Sequence, residues 1–133
     1  MLIAITGASG FIGSALKSFL EKDGHKILSV SRSTSGDVLW DPTSGQIEAE
    51  KLEGIDAVIH LAGENIASRR WTDKQKRRIL DSRVEGTKLL TKSIVNLSNP
   101  PSVFLSGSAI GIYGNRGDEK LDEDSSKGSG FLA

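Results

Sequence analysis

A short apolar run from Leu2 to Thr6 stops at Gly7-Ala8-Ser9-Gly10-Phe11-Ile12-Gly13, and a helix-periodic segment begins immediately afterwards. An apolar run cut off by glycine marks a strand covered on both faces. Ile12, Ala15, Leu16, Phe19 and Leu20 recur at three- and four-residue spacing, with Asp23-Gly24 as a stop, which predicts an amphipathic helix packed on a sheet. Strand, glycine loop and helix in that order form the arrangement a pyrophosphate requires. Gly7 permits a tight turn, Gly10 lets backbone come close to the phosphates, and Gly13 lets helix and strand pack. The free N–H groups at the helix start then face the anion. Gly7, Ser9, Gly10, Phe11, Ile12 and Gly13 are therefore expected to grip a dinucleotide. Such glycines also occur at ordinary strand-to-helix turns; the placement after the first strand and before an amphipathic helix favours binding.

Further along, strand and helix signals alternate. Ile27 to Val30 predicts a second strand, and Val38-Leu39-Trp40 with Gln46-Ile47 flank a hairpin turn at Asp41 to Gly45. Asp56 to Leu61 predicts another buried strand, and a long helix is expected from a Thr72-Asp73 cap to about Asn96. Val103 to Leu105 predicts a last strand before a glycine- and acid-rich tail. Alternating strands and helices imply a Rossmann-like, doubly wound α/β fold with a parallel sheet, here partial. On the long helix, Ile79, Leu80, Val84, Leu90, Ile94 and Leu97 share one broad face, and Arg83 falls inside it. Arg83 there is either a salt-bridged or snorkelling residue, or one that points into the cofactor or substrate cleft. Gly86, at the border of that face, would let the helix lie close to the sheet.

The second strand bears on which nicotinamide cofactor fits. An NAD site commonly places a carboxylate at about this distance beyond the glycines, where it accepts from the ribose hydroxyl and would repel a 2′-phosphate. Here the strand ends Ser29-Val30-Ser31-Arg32-Ser33, without an acid. Arg32 offers a fork of donors to phosphate and Ser33 a hydroxyl, so NADP is expected over NAD. The competing reading of Arg32 is a solvated surface arginine.

Charge and composition narrow the partners. Lys plus Arg number 17 and Asp plus Glu 17, so no net field attracts nucleic acid or an anionic membrane. With no cysteine there is no disulfide framework or catalytic thiol, and a reducing, cytoplasmic setting is expected. The apolar start is too short for a signal peptide or membrane span. His60 at a strand end reads as a satisfied core residue, and no His/Asp/Glu spacing suggests a metal. Two charge runs, Arg69 to Arg78 and Asp118 to Asp124, read as solvated faces; alternatively the basic run steers anionic ligands and the acidic tail folds against it.

At this point the sequence resembles the extended short-chain dehydrogenase/reductases. Within them it is similar to the atypical branch of NAD-dependent epimerase/dehydratase-like, or nucleoside-diphosphate-sugar epimerase-like, proteins. The loop from Thr6 to Gly13 resembles that family's cofactor loop. The segment from His60 to Ile66, with Leu61, Ala62 and Gly63, resembles the stretch beside the adenine-ribose half of the cofactor. Trp71, Lys74, Ile79, Ser82-Arg83 and Gly86-Thr87 are similar to the branch's long-helix signature, where Arg83 replaces an asparagine frequent in the wider family. Ser106 to Gly114 resembles the strand and loop that carry the active-site hydroxyl. The resemblance implies a cofactor domain over residues 1–133, hydride exchange with a polar small-molecule substrate such as a nucleotide sugar, and room for a homodimer.

The same resemblance implies a tyrosine in a Tyr-x-x-x-Lys pair as proton shuttle, and here the pattern departs. Tyr113 is the one tyrosine, and position 117 is glycine. Tyr113 instead matches a structural or substrate-contacting position, and Ser108 or Ser106 matches the hydroxyl that bonds the reacting oxygen; ordinary strand-end serines are the competing reading. The chain is expected to be an N-terminal fragment, inactive alone, lacking the substrate part, and its branch is expected to use another proton source. A non-catalytic NADP(H) sensor or scaffold is the alternative function.

Overall fold

The structure, a computed structural model, describes residues 1–133. Six strands form one sheet in the order β4-β3-β2-β1-β5-β6: β1 Leu2–Thr6, β2 Lys26–Ser31, β3 Val38–Asp41, β4 Gln46–Ile47, β5 Ala57–His60 and β6 Val103–Ser106. All neighbouring pairs are parallel except the β3–β4 hairpin, where Trp40 faces Ile47. The chain winds outward from β1 through β2 and β3, then returns to the other side of β1 with β5 and β6. That reversal places a topological switch point between β1 and β5, at the carboxyl ends of the strands. This is the partial Rossmann-like α/β architecture that the alternating pattern implies.

Period-two alternation on the central strands sorts the core into two layers. Ile3, Ile5, Ala8, Ile27 and Ala57 form one buried cluster. Ala4, Val30, Val38, Trp40, Leu52, Ile55, Val58, Leu90 and Ile94 form the other, beneath the long helix. Because β1 is covered on both faces, its run reads as continuously apolar rather than alternating.

Helix α1, Phe11–Lys22, follows the glycine loop and ends at Asp23, with Gly24 in the left-handed region at φ 83°. Its expected apolar face is only partly used. Leu16 and Leu20 are half-buried, whereas Ile12, Ala15 and Phe19 are exposed and Gly13 alone is buried. The helix makes its closest backbone approach at Gly13 and packs Leu20 on the core, which leaves Ile12, Ala15 and Phe19 without a covering layer.

Helix α2, Asp73–Val95, begins at Thr72, whose hydroxyl accepts from the Gln75 amide at 3.2 Å. Its buried stripe is Gln75, Ile79, Gly86, Leu90 and Ile94. Gly86 lies against the Trp40 indole so closely that a Cβ would sit 3.0 Å from its ring, which accounts for glycine at this helix–sheet crossing. Leu80 and Val84 depart from expectation, being 51% and 39% exposed. At roughly 100° per residue they lie far enough round the axis from Ile79 to clear the sheet. Arg83 does fall in line with the buried stripe, yet it is exposed, because at that level the helix faces the loop after β5 instead of the sheet.

Candidate functional site

The loop from Gly7 to Gly13 is built by backbone constraints. Gly7 sits at φ 72°, and a Cβ there would meet Ala62 N and Leu61 C at 3.0 Å, so both its conformation and its neighbours demand glycine. Gly10 N donates to Gly7 O at 2.9 Å to close the turn. Gly10 is also the N-cap of α1; it supplies no side-chain cap, and the first turn carries no acidic residue. The first intrahelical bond runs from Ser14 N to Gly10 O at 2.9 Å. The amides of Phe11, Ile12 and Gly13 therefore precede the ladder and have no acceptor in the protein. Helix α2 differs at its start: Thr72 caps it and Asp73 lies in its first turn. The mouth of α1 presents bare donors with neither a capping side chain nor an acidic residue to offset its positive dipole end, and is flanked by Phe11 at 95% exposure.

Beside this loop lies a cavity of about 430 Å³ lined by Gly7, Ser9, Arg32 and Ser33, together with Lys17, Ser29, Ser31, Ser35, Gly36 and Trp40. No carboxylate lines it. Serine hydroxyls fix the wall beyond β2: Ser33 N donates to Ser31 Oγ at 2.9 Å, Ser35 N to Ser33 Oγ at 3.2 Å, and the hydroxyls of Ser33 and Ser35 lie 2.9 Å apart. Arg32 is exposed on this ordered turn and makes no hydrogen bond or ion pair within the chain. The nearby Asp37 carboxylate is engaged elsewhere, accepting from the Ser29 amide at 2.7 Å.

The segment after β5 is fastened to β1 by Thr6. Thr6 is fully buried, and its Oγ1 accepts from Leu61 N and from Ala62 N, each at 3.1 Å. With both lone pairs used, its own proton goes to His60 Nδ1, 2.6 Å away. His60 is then the tautomer protonated on Nε2, which donates to Thr87 Oγ1 at 3.2 Å. This is the satisfied core histidine expected from the sequence, 4% exposed, with Trp40 edge-on at 5.6 Å and Phe104 at 6.5 Å. No charged side chain contacts it there, and burial lowers its pKa from the ordinary 6.5. The unfolded chain takes up a proton near 6.5 and the folded chain only below that. The network's contribution is thus fully present above the ordinary value and is lost as pH falls through the folded one. Urea midpoints measured at pH 7.5 and at successively lower pH should fall for the natural chain and fall less for His60→Gln. Parallel declines in both would remove His60 from the account.

Arg83 reaches the same segment from α2. Its guanidinium lies flat on Gly63, at 3.3 Å from where a Cβ would stand, and donates to the carbonyls of Glu64 at 3.1 Å and Ile79 at 3.2 Å. It makes no salt bridge; the Glu64 carboxylate pairs instead with Arg78 at 3.6 Å and accepts from Gln75. Gly63 thus serves as the seat for Arg83.

Ser106 ends β6 opposite His60, and Gly107 N donates to His60 O at 2.9 Å, so the β6 end adjoins the β5 end. Ser108 follows in the exposed loop, and Tyr113 closes a 3-10 turn over Ile110–Tyr113. None of these three lines the cavity near Arg32. A second cavity, about 370 Å³, lies beside Tyr113 between Trp71, Gly111, Gly114, Asn115 and the segment Ser129 to Ala133, with Phe131 edge-on to Trp71 at 5.6 Å. The tail's acids do not fold against the basic run. Glu119 pairs with Arg116 at 2.6 Å, which holds its carboxyl below the usual range, and Asp122 bonds Ser125.

Sequence reasoning passed over Lys17, and named Thr6 and Thr87 only as members of matched segments, without a role. A hydroxyl closing an otherwise apolar strand was the available signal for Thr6; the pairing with His60 spans 54 positions and carries no local signature. No helix is long and apolar enough to cross a membrane.

Comparison with known proteins agrees with this architecture. "Epimerase family protein Mb2239" from Mycobacterium bovis is 38% identical over 135 residues, covering 99% of this chain and 44% of that protein. The chain therefore spans less than half the length of this relative. The crystal structure of human epimerase family protein SDR39U1 with NADPH superposes with a TM-score of 0.86 at 33% identity, over 99% of this chain and 45% of that one. That of the nucleoside-diphosphate sugar epimerase from Corynebacterium glutamicum gives 0.82 at 36% identity, over 99% and 28%. The sequence model of the NAD dependent epimerase/dehydratase family matches residues 3–130, and the chain belongs to that family.

Proposed function

We propose that residues 1–133 form the cofactor-binding part of an NADP-dependent epimerase- or dehydratase-like oxidoreductase that acts on a nucleotide sugar or a similar polar hydroxy compound. The observation that carries the reading is the mouth of α1, where the amides of Phe11, Ile12 and Gly13 stand bare and uncapped beside Gly7 and Gly10. These donors fit a diphosphate, and the seat between β1 and β5 is the switch point at which such folds take dinucleotides. Leu61, Ala62 and Gly63, held by Thr6, border that seat. The choice of NADP rests on Arg32 and Ser33, set at the end of β2 in a cavity without a carboxylate. The NADPH bound to the human relative is consistent with it.

A bound nicotinamide would supply hydride exchange with a substrate carbon. This chain's own contribution is to hold the dinucleotide and to present Ser106, Ser108 and Tyr113 on the strand end and loop next to it. The serine hydroxyls are suited to bond the reacting oxygen, and the Tyr113 turn to contact the substrate beside the Trp71 cavity. Arg83, through Gly63 and Glu64, orients the segment that borders the cofactor.

Arg32→Ala tests the cofactor choice. A charge-assisted contact to phosphate contributes about 1.5–3 kcal/mol, or about ten- to a hundredfold in affinity. Fluorescence titration should show NADPH weakened by that factor with NADH unchanged within about twofold. Parallel loss of both cofactors, or natural affinity equal for the two, would reject NADP selection by Arg32.

A further inference from the structure

We propose that Lys17 is a second cation of the subsite at the end of β2, acting from α1 together with Arg32 to select a ribose that carries a 2′-phosphate. The inference rests on the NADP reading above and adds a residue to it. Lys17 stands one helical turn beyond Gly13, on the side of α1 that faces β2. Its Nζ approaches Ser29 Oγ at 3.4 Å and lines the same cavity as Arg32, Ser31, Ser33 and Ser35. The lining of that cavity therefore brings together an ammonium from α1 and a guanidinium from the turn after β2, with serine hydroxyls and no carboxylate.

The chemistry of the ligand explains why two cations belong here. A phosphate monoester carries about 1.5 to 2 negative charges near neutral pH. Arg32 alone neutralises only part of that. The guanidinium supplies a planar fork, and the ammonium a compact charge on a flexible stem that reaches a phosphate oxygen from another direction. A purely structural role explains Lys17 poorly. Its one ion pair, with Glu21 at 3.8 Å, joins side chains that are 36% and 47% exposed. Exposed pairs of that kind contribute little, and lysine preceding glutamate by four residues is the weaker order on a helix. The Asp37 carboxylate is bound to the Ser29 amide and does not neutralise Lys17.

The test titrates the full chain and its variants with NADPH, NADH, adenosine 2′,5′-bisphosphate and adenosine 5′-monophosphate. Lys17→Ala should weaken NADPH and the bisphosphate by about tenfold, leave NADH and the monophosphate within about twofold, and lose less as salt is raised. Lys17→Arg should restore most of the loss, and retained NADH binding reports that each variant is folded. If Lys17→Ala leaves NADPH untouched while Arg32→Ala still separates the two cofactors, Lys17 has no part and the NADP reading survives. An equal loss across all four ligands also overturns the inference, since it assigns Lys17 to the loop's structure. A natural chain that binds NADH as tightly as NADPH overturns both readings together.

Discussion

Gly13→Ala should weaken dinucleotide binding by at least about a hundredfold and lower the unfolding free energy by about 3 kcal/mol. The added methyl would fall on the Gly7 carbonyl oxygen, with Ala8 Cα and Gly7 C at 2.9 Å. All three are backbone atoms of the loop itself, so no side chain can rotate out of the way. Relief requires α1 to move off β1 or the Gly7 turn to open. Either movement swings the amides of Phe11, Ile12 and Gly13 away from a common focus, and binding fails together with packing. Gly13 is also the only buried residue of α1, so the contact being wedged apart is the one that seats the helix. Ser14→Ala is the control: its hydroxyl makes one long bond to Phe11 O at 3.3 Å in an exposed position, and its removal should leave both quantities unchanged. Urea unfolding and NADPH titration read the outcome. A Gly13→Ala chain with an unaltered midpoint and affinity would mean that α1 does not sit on Gly7 as described.

The glycine loop was legible because its requirements are local. Tight turn, close approach and helix start all fall within seven consecutive residues, and each asks for the absence of a Cβ. The limits of α2 were legible for the same reason, since Thr72 satisfies an amide three residues ahead and Asn96 terminates the helix. What the helix faces is not local. Leu80 and Val84 belong to an apolar arc by periodicity, but only geometry across the sheet decides which part of the arc is covered. Arg83 illustrates the point best. Counting turns places it in the buried stripe, and a carboxylate partner, a stem that snorkels to the edge or a cleft-facing pose follows as the expectation. Its actual partners are two backbone carbonyls, which have no sequence signature at all. The acids of the tail are exposed, as the solvated-face reading expects, and the alternative of a docking onto the basic run fails because Glu119 finds its partner in Arg116, three residues before it.

Taken together, the strand ends form a graded series of fixings along the sheet edge. Beyond β2, serine hydroxyls lock a turn and leave Arg32 free to reach outward. Beyond β1, glycines lock the backbone and leave amides bare. Beyond β5, buried hydroxyl and imidazole groups hold the loop, while Arg83 closes it from the helix side. Each loop has its backbone held by named contacts and leaves open the group it presents, which favours binding without a large ordering cost.

Thr6→Val examines the third of these fixings and should cost about 2–4 kcal/mol, although the two side chains are nearly the same shape. The hydroxyl it removes is the acceptor for Ala62 N and the donor to His60 Nδ1. Leu61 N keeps a second acceptor, the Thr6 carbonyl at 3.2 Å, so it is not stranded. Ala62 N and the imidazole nitrogen are, and a buried polar group without a partner costs about 1–3 kcal/mol. The methyl that replaces the hydroxyl returns little, because Thr6 is already fully enclosed and interiors are close-packed. Loosening should be directional as well as destabilising: Ala62 loses its anchor while Thr87 keeps the other side of His60, so the loop frays before the strand does. Hydrogen exchange should therefore accelerate at the Ala62 amide by more than at Ile5 or Val58, and cofactor affinity should fall about tenfold. Thr6→Ser retains the hydroxyl and should keep Ala62 protected while losing only the cost of a missing methyl. Should Ala62 exchange as slowly in Thr6→Val as in the natural chain, the loop is held by something other than this hydroxyl, and the bordering role given to Leu61, Ala62 and Gly63 loses its physical basis.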